Sequence, residues 1–268
     1  MKALALLTAG MMMILACRPV RAGLIEDSEI QVGFEIFHHH YRESHFMQLY
    51  GPQVGLYGSF TYLAFHPLRL ELQVAGAGGD ITYDGAQVYF IPDYGFISIP
   101  VKDDVGNSIF HFRPLVGWTF ENISIGDLVG IKIIPFSGLA YRYLINRLDE
   151  LAGGYKREQS YYYLPLGVEA SIPWPYDKRF RLGARTELDI LLHGKHTTGP
   201  PDPQTFTQSS GWGFQFAPGA RYDLTKELAV TAELYFRYWK IATSTESGGY
   251  VEPRNATSEY GVKLGVAF

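Results

Sequence analysis

Ser258-Glu259-Tyr260-Gly261-Val262-Lys263-Leu264-Gly265-Val266-Ala267-Phe268 ends the chain, and its reading decides the fold. Tyr260, Val262, Leu264, Val266 and Phe268 alternate with Glu259, Gly261, Lys263, Gly265 and Ala267. One face is wholly apolar and the other is charged or tiny. A period of two means a β-strand lying between two environments. In a soluble sandwich the polar face would meet water. In a membrane barrel the apolar face meets lipid and the polar face lines a lumen.

Working upstream, the same alternation recurs nine more times. Apolar rows run through Leu228–Tyr238, Trp212–Tyr222, Phe180–Leu192, Tyr162–Ile172, Ile131–Tyr143, Phe110–Phe120, Leu68–Val74, Val54–Tyr62 and Ile30–Ile36. A tilted strand needs about 9–11 residues to cross a bilayer, and an antiparallel barrel of the bacterial kind has an even strand number. The expectation is an all-β, closed, antiparallel up-and-down transmembrane barrel of ten strands. Closure is demanded physically, because lipid offers an open sheet edge no hydrogen-bonding partner. Links predicted as long (39–51, 82–105, 146–158, 194–210, 243–257) alternate with short ones (His66-Pro67, Glu121–Gly126, Pro173–Lys178, Asp223–Lys226). Short periplasmic turns and longer extracellular loops make that alternation. The 40 aromatics (4 Trp, 19 Tyr, 17 Phe) fall largely at strand ends, where membrane interfaces favour them. The alternative, a soluble sandwich with an aromatic core, would have to bury one face against a second sheet.

The start of the chain reads as an address. Lys2 precedes an apolar run from Ala3 to Cys17, Pro19 breaks it, and Val20-Arg21-Ala22 offers small residues for cleavage. This is the pattern of a secretory signal peptide over residues 1–22, leaving the barrel domain at 23–268. Ile14-Leu15-Ala16-Cys17 also resembles a lipobox, so lipidation of Cys17 is the competing reading. Removal of Lys2, Arg18 and Arg21 leaves 20 basic against 27 acidic side chains and no cysteine. Disulfides then contribute nothing, and a nucleic-acid binder's basic footprint is absent.

These residues also carry a resemblance. The terminal Tyr260, Val262, Leu264, Val266 and Phe268 resemble the C-terminal strand signal of bacterial outer-membrane β-barrel proteins. The resemblance implies a multi-pass barrel in the outer membrane, contacts with its lipid and lipopolysaccharide, and recognition by the barrel-assembly machinery. The strand number is similar to that of omptins, proteases whose Asp pair and Asp-His pair sit at the extracellular rim. Here Asp189 and His193 are four residues apart, as are Asp80 and Asp84, or roughly 13 Å along a strand. That is too far for one shared water.

Strand parity assigns the lumen. Its expected cations are Arg69, Arg113, Lys132, Arg142, Arg181, Arg185, Arg221, Arg237 and Lys263. Its expected anions are Glu29, Glu35, Glu71, Glu169, Glu187, Asp189, Glu233 and Glu259. Near balance in a narrow barrel predicts cross-lumen pairing that obstructs passage, whereas an open aqueous channel comes with about 16–18 strands. His38-His39-His40, with His45, cannot present three ligands together on a strand, since neighbours point to opposite faces. No cofactor, metal or catalytic residue is expected. The functional expectation is a non-catalytic barrel serving surface interaction, envelope structure or limited solute passage, with a ligand at the extracellular loops. A narrow porin-like channel and an omptin-like rim hydrolase are the alternatives.

Overall fold

The computed structural model describes residues 28–43, 47–63, 65–91, 95–126, 128–200 and 203–268, of which the side chains at 87–91 and 95–96 are left aside. The expected leader and His45 lie outside the described residues. The elements are β1 (Ser28–Glu43), β2 (Met47–Tyr62), β3 (Leu68–Ile91), β4 (Gly95–Trp118), β5 (Phe120–Ile125), β6 (Leu128–Gly138) and β7 (Ala140–Asn146). A single 3-10 turn, Leu148–Glu150, precedes β8 (Arg157–Trp174), β9 (Asp177–Thr198), β10 (Thr205–Gln208), β11 (Gly211–Asp223), β12 (Ala229–Ile241) and β13 (Asn255–Ala267).

Ten wall strands close on themselves. β1 pairs antiparallel with both β2 and β13, and the ladder runs on through β3, β4, the β6–β7 strand, β8, β9, β11, β12 and back to β13. β6 and β7 are one wall strand, since both pair with β4 and with β8. The interruption at Leu139 sits opposite Pro114, which has no N–H to give; Leu139 N still donates to the Pro114 carbonyl at 3.2 Å. At the seam, Ile30 N donates to Phe268 O at 2.8 Å and Phe268 N to Ile30 O at 2.9 Å. The start of β1 and the end of β13 therefore share the end that carries the short turns. In bacterial barrels this is the periplasmic end.

The outward rows form one apolar band. Ile36, Leu56, Phe112, Leu166, Leu188, Phe216, Leu234 and Leu264 are each exposed by roughly 40–60% although aliphatic or aromatic. A belt of that size on a folded monomer marks a non-aqueous partner, here lipid.

Two expectations are corrected. Three segments predicted as long loops, 39–51, 82–105 and 194–210, are mostly strand, whereas 146–158 and 243–257 are mostly loop as expected. β1 and β2 are separated only by residues 44–46, and β3 and β4 are each 24 residues long, roughly 80 Å of chain at the usual rise. The period of two persists there, but its hydrophobic phase inverts. Above the band Leu49, Ile81, Tyr83 and Val105 face inward and are buried, while Gln48, Asp80, Thr82 and Asp104 face out. Water on the outside and a plug on the inside reverse the sense of the pattern. The short link expected at Glu121–Gly126 is likewise strand: β5 pairs with β6 as a periplasmic continuation of the β4–β6 hairpin.

Candidate functional site in the barrel lumen

Three layers and a cavity fill the lumen. The cavity, about 450 Å³, lies in the periplasmic half and is roofed by Tyr163 and Trp239, whose rings meet edge to face at 4.8 Å. Gly213 makes room for this roof: a Cβ there would lie 2.8 Å from the Trp239 ring. Around the cavity, Arg113 Nη2 donates to Glu187 at 2.5 Å, and Arg69 reaches Glu169 at 3.1 Å and Glu71 at 3.2 Å. Arg185 lies 3.5 Å from Glu187 and 3.7 Å from Glu71, with its guanidinium 3.9 Å over the Phe136 ring. Glu71 is its second carboxylate partner. Lys263 meets Glu233 at 3.2 Å, and Arg181 is half exposed at the mouth, 3.9 Å from Asp223.

The middle layer is apolar and aromatic, with Phe37, Ile109, Leu144, Tyr161, Tyr163, Leu191, Tyr235 and Trp239 buried together. Threaded through it, Glu259 accepts from Arg142 at 2.6 Å, lies 3.2 Å from His39 Nδ1 and 3.5 Å from Arg237. Arg237 also donates to Gln215 at 2.8 Å. A buried amide chain continues upward: Asn146 donates to Asn107 at 2.6 Å and Asn107 to Gln53 at 3.2 Å.

The top layer is centred on Arg157. Its Nη2 donates to Glu43, to Glu252 at 2.6 Å and to Tyr41 Oη at 3.3 Å, while its Nε donates to His196 Nε2 at 3.3 Å. His196 Nδ1 lies 2.7 Å from Glu252. This layer stands above the membrane band. On β8 the outward apolar row ends at Tyr162, five residues from Arg157, and on β13 it ends at Tyr260, five from Asn255. Burial opposes the charge on Arg157, but the Glu43 and Glu252 carboxylates outweigh it and hold its pKa well above the ordinary value. Burial and the neighbouring Arg157 push the His196 pKa down. Burial opposes ionisation of Glu252, but Arg157 and His196 outweigh it and hold that pKa low.

The residues expected to line the lumen are thus brought together in groups: Arg69, Glu169, Arg113, Glu187, Asp189 and Arg185 around the cavity, Arg142, Arg237 and Glu259 above it, Glu233 and Arg181 toward the mouth. Their partners Trp239, Phe136, Arg157, Glu43 and Glu252 were missed. Trp239 follows Arg237 by one inward step and is readable by the same parity. Arg157 and Glu252 fell in segments taken as loops.

The rim residues weighed for hydrolysis do not converge. Asp189 is buried in the lumen, whereas Asp80 and Asp84 point outward and Asp84 meets Lys102 at 3.4 Å. His193, expected on the lumen face, points outward. A β-bulge between Tyr162/His193 and Tyr163/Leu191 inserts Leu192 and flips the phase of upper β9, so His196 takes the inward place. The histidine triplet lies on β1: His39 faces in, while His38 stacks on Tyr260 at 5.3 Å and His40 meets Gln48 at 3.2 Å outside. Among the described residues no three His, Cys, Asp or Glu side chains form a metal-ion cage.

Closed ladder, lipid belt and shared terminal end together define a small β-barrel of the bacterial outer-membrane type. Among solved structures, the chain is similar to the outer membrane protease OmpT from Escherichia coli, with a TM-score of 0.60 at 9% identity, covering 93% of this chain and 99% of that one. The translocator domain of the autotransporter NalP from Neisseria meningitidis matches with a TM-score of 0.44 at 8% identity over 98% and 97% of the two chains. The Ralstonia pickettii toluene transporter TbuX matches at 0.38 and 10% identity over 90% and 88%. The likeness to OmpT is one of fold. No family model matches the sequence, and no curated protein matches it.

Proposed function

We propose that the protein is a non-catalytic, sealed outer-membrane barrel that serves as a rigid scaffold for an extracellular recognition rim. The observation that supports this is the stack of plugs: the Arg157 layer above, the Tyr163–Trp239 roof below, and the Glu259 cluster between them. Arg157, Arg142 and Arg237 in the stack each have a carboxylate beside them. Opening the lumen would break several such pairs at once, and stripping one partner from a buried pair costs about 3–5 kcal/mol. What remains free for encounter is the tall collar of β1–β4 and β7–β10 above the membrane, where loops on a rigid frame carry recognition. Lipid and lipopolysaccharide around the belt, and the barrel-assembly machinery acting on the terminal strand, are the partners this reading expects.

Conductance tests it. Purified protein in planar bilayers should give no steady current. A large, persistent single-channel conductance, or cleavage of a peptide substrate abolished by Asp189→Asn, would overturn the reading.

A further inference from the structure

We infer that the β5–β6 hairpin is a membrane-surface element, which lies in the headgroup boundary of the periplasmic leaflet instead of standing in the periplasm. This placement needs the outer-membrane barrel but neither the sealed lumen nor the rim. The hairpin leaves the wall. The β3–β4 ladder ends at the Leu68–Trp118 pair and the β6–β8 ladder at Lys132–Ser171. Among the described residues β5 pairs with β6 alone. The root is held on both sides: Thr119 N donates to Pro67 O at 2.8 Å, and a Cβ on Gly130 would lie 3.3 Å from the Pro173 ring.

Beyond the root the hairpin shows apolar side chains. Ile125, Leu128 and Val129 are 60%, 49% and 63% exposed. They continue the exposed Trp118 and Phe120 at the lower edge of the lipid belt, and Trp174 and Tyr176 at the adjoining end of β8 are exposed too. Between Glu121 and Lys132 the sequence has one charged residue, Asp127, and Glu121 and Lys132 pair with each other at 3.3 Å. A two-stranded hairpin is marginal in water, and an exposed apolar patch marks a partner. Continuity with the belt makes that partner lipid. A straight continuation of β4 would carry Ile125 about 20 Å past Trp118, out of the bilayer. The ribbon is instead broken by two register shifts, and Asn122 (φ 57°) and Gly130 (φ 75°) take left-handed backbone. Irregularities of this kind bend a strand, here along the membrane surface. The same shifts leave no continuous row of hydrogen-bonding groups for a protein strand to join. The unpaired β5 edge holds the hairpin at headgroup depth, because hydrocarbon would leave its backbone groups without partners. With Lys132 taken by Glu121, the contact is apolar, and zwitterionic phospholipid suffices.

Depth-dependent quenching tests this in purified protein held as one barrel per phosphatidylcholine nanodisc, where neither a second copy nor a periplasmic protein can shield a label. In a Cys17→Ser background, Ile125→Cys and Val129→Cys each carry the fluorophore NBD, with Glu246→Cys above the membrane as the water control and Leu188→Cys as the lipid control. A nitroxide at the headgroup or the fifth acyl carbon should quench both hairpin labels about twofold or more over the Glu246 label, as interfacial depth requires. A nitroxide near the acyl terminus should quench them less, and Leu188 should show the opposite order. Phosphatidylglycerol or added salt should change neither result. The double variant Leu128→Asp/Val129→Asp should release the Ile125 label into water while the protein still migrates as a folded barrel. Hairpin labels quenched no more than the Glu246 label, quenching that appears only with anionic lipid, or quenching that survives the double variant would overturn this placement. None of these results bears on conductance or on the extracellular rim, so the two readings fail separately.

Discussion

At the scale of single residues, what a side chain costs depends on which face of the wall it occupies. Leu188 of β9 points to lipid and is 46% exposed, while its neighbour Glu187 points inward and is almost fully buried against Arg113. An arginine at the lipid face of the midplane costs roughly 2–4 kcal/mol. Leu188→Arg is therefore expected to destabilise the barrel by about that amount in reversible unfolding from lipid, with no rescue by any lumen change. Glu187→Leu strands Arg113 and should cost a comparable about 3–5 kcal/mol. The double variant Arg113→Leu/Glu187→Leu removes both charges together and should recover much of the loss. A neutral Leu188→Arg, or a double variant that is merely the sum of its singles, would contradict the assignment of faces.

At the scale of elements, the strands and their facing were legible because lipid outside and charge inside give each strand two unlike sides. Arg69, Arg113, Arg142 and Glu259 could be placed inward from parity alone. The collar was not legible for a physical reason. Above the band, water replaces lipid, so Asp80, Thr82 and Asp104 take the outward places and Ile81 and Val105 the inward ones. A search for apolar-out alternation reads this inversion as loop. The bulge at Leu192 was equally silent, since an inserted residue leaves no compositional mark. It makes a test: a cysteine replacing His193 should react with a membrane-impermeant reagent on whole cells, and one replacing His196 should not. The reverse order would place the bulge elsewhere. The seam gives another. Phe268 and Ile30 exchange two backbone hydrogen bonds that close the β1–β13 ladder. Deleting Phe268 should lower the yield of heat-resistant folded barrel in the outer membrane, and an unchanged yield would show that closure does not depend on that pair.

At the scale of the whole molecule, the barrel is a stack of plugs whose topmost layer carries its own response to acid. His196 is held neutral by burial and by Arg157, so its folded pKa lies below the ordinary 6.5. An unfolded or opened collar binds a proton there more readily than the closed one. Stability therefore rises with pH across that interval, and is lost as pH falls below about 6.5. Glu252, held ionised by Arg157 and His196 against the cost of burial, has a folded pKa below its ordinary 4.5. Its contribution is complete above that value and disappears as pH falls through 4.5 toward the folded pKa. Both groups work in the same direction, and both bind the segment between β12 and β13 to the wall. Opening should be read locally, from deuterium uptake at residues 242–254, so that the deeper histidines His39 and His111 do not dominate the signal. Taken relative to the intrinsic amide exchange rate at each pH, uptake is expected to rise in two steps as pH falls from 8 to 4. His196→Gln, whose amide oxygen can still accept from Arg157, should remove the first step and leave the second. Uptake that is flat across this range, or a first step that survives His196→Gln, would mean that the top layer is held by its apolar neighbours Leu49, Ile81 and Leu148 rather than by its charges.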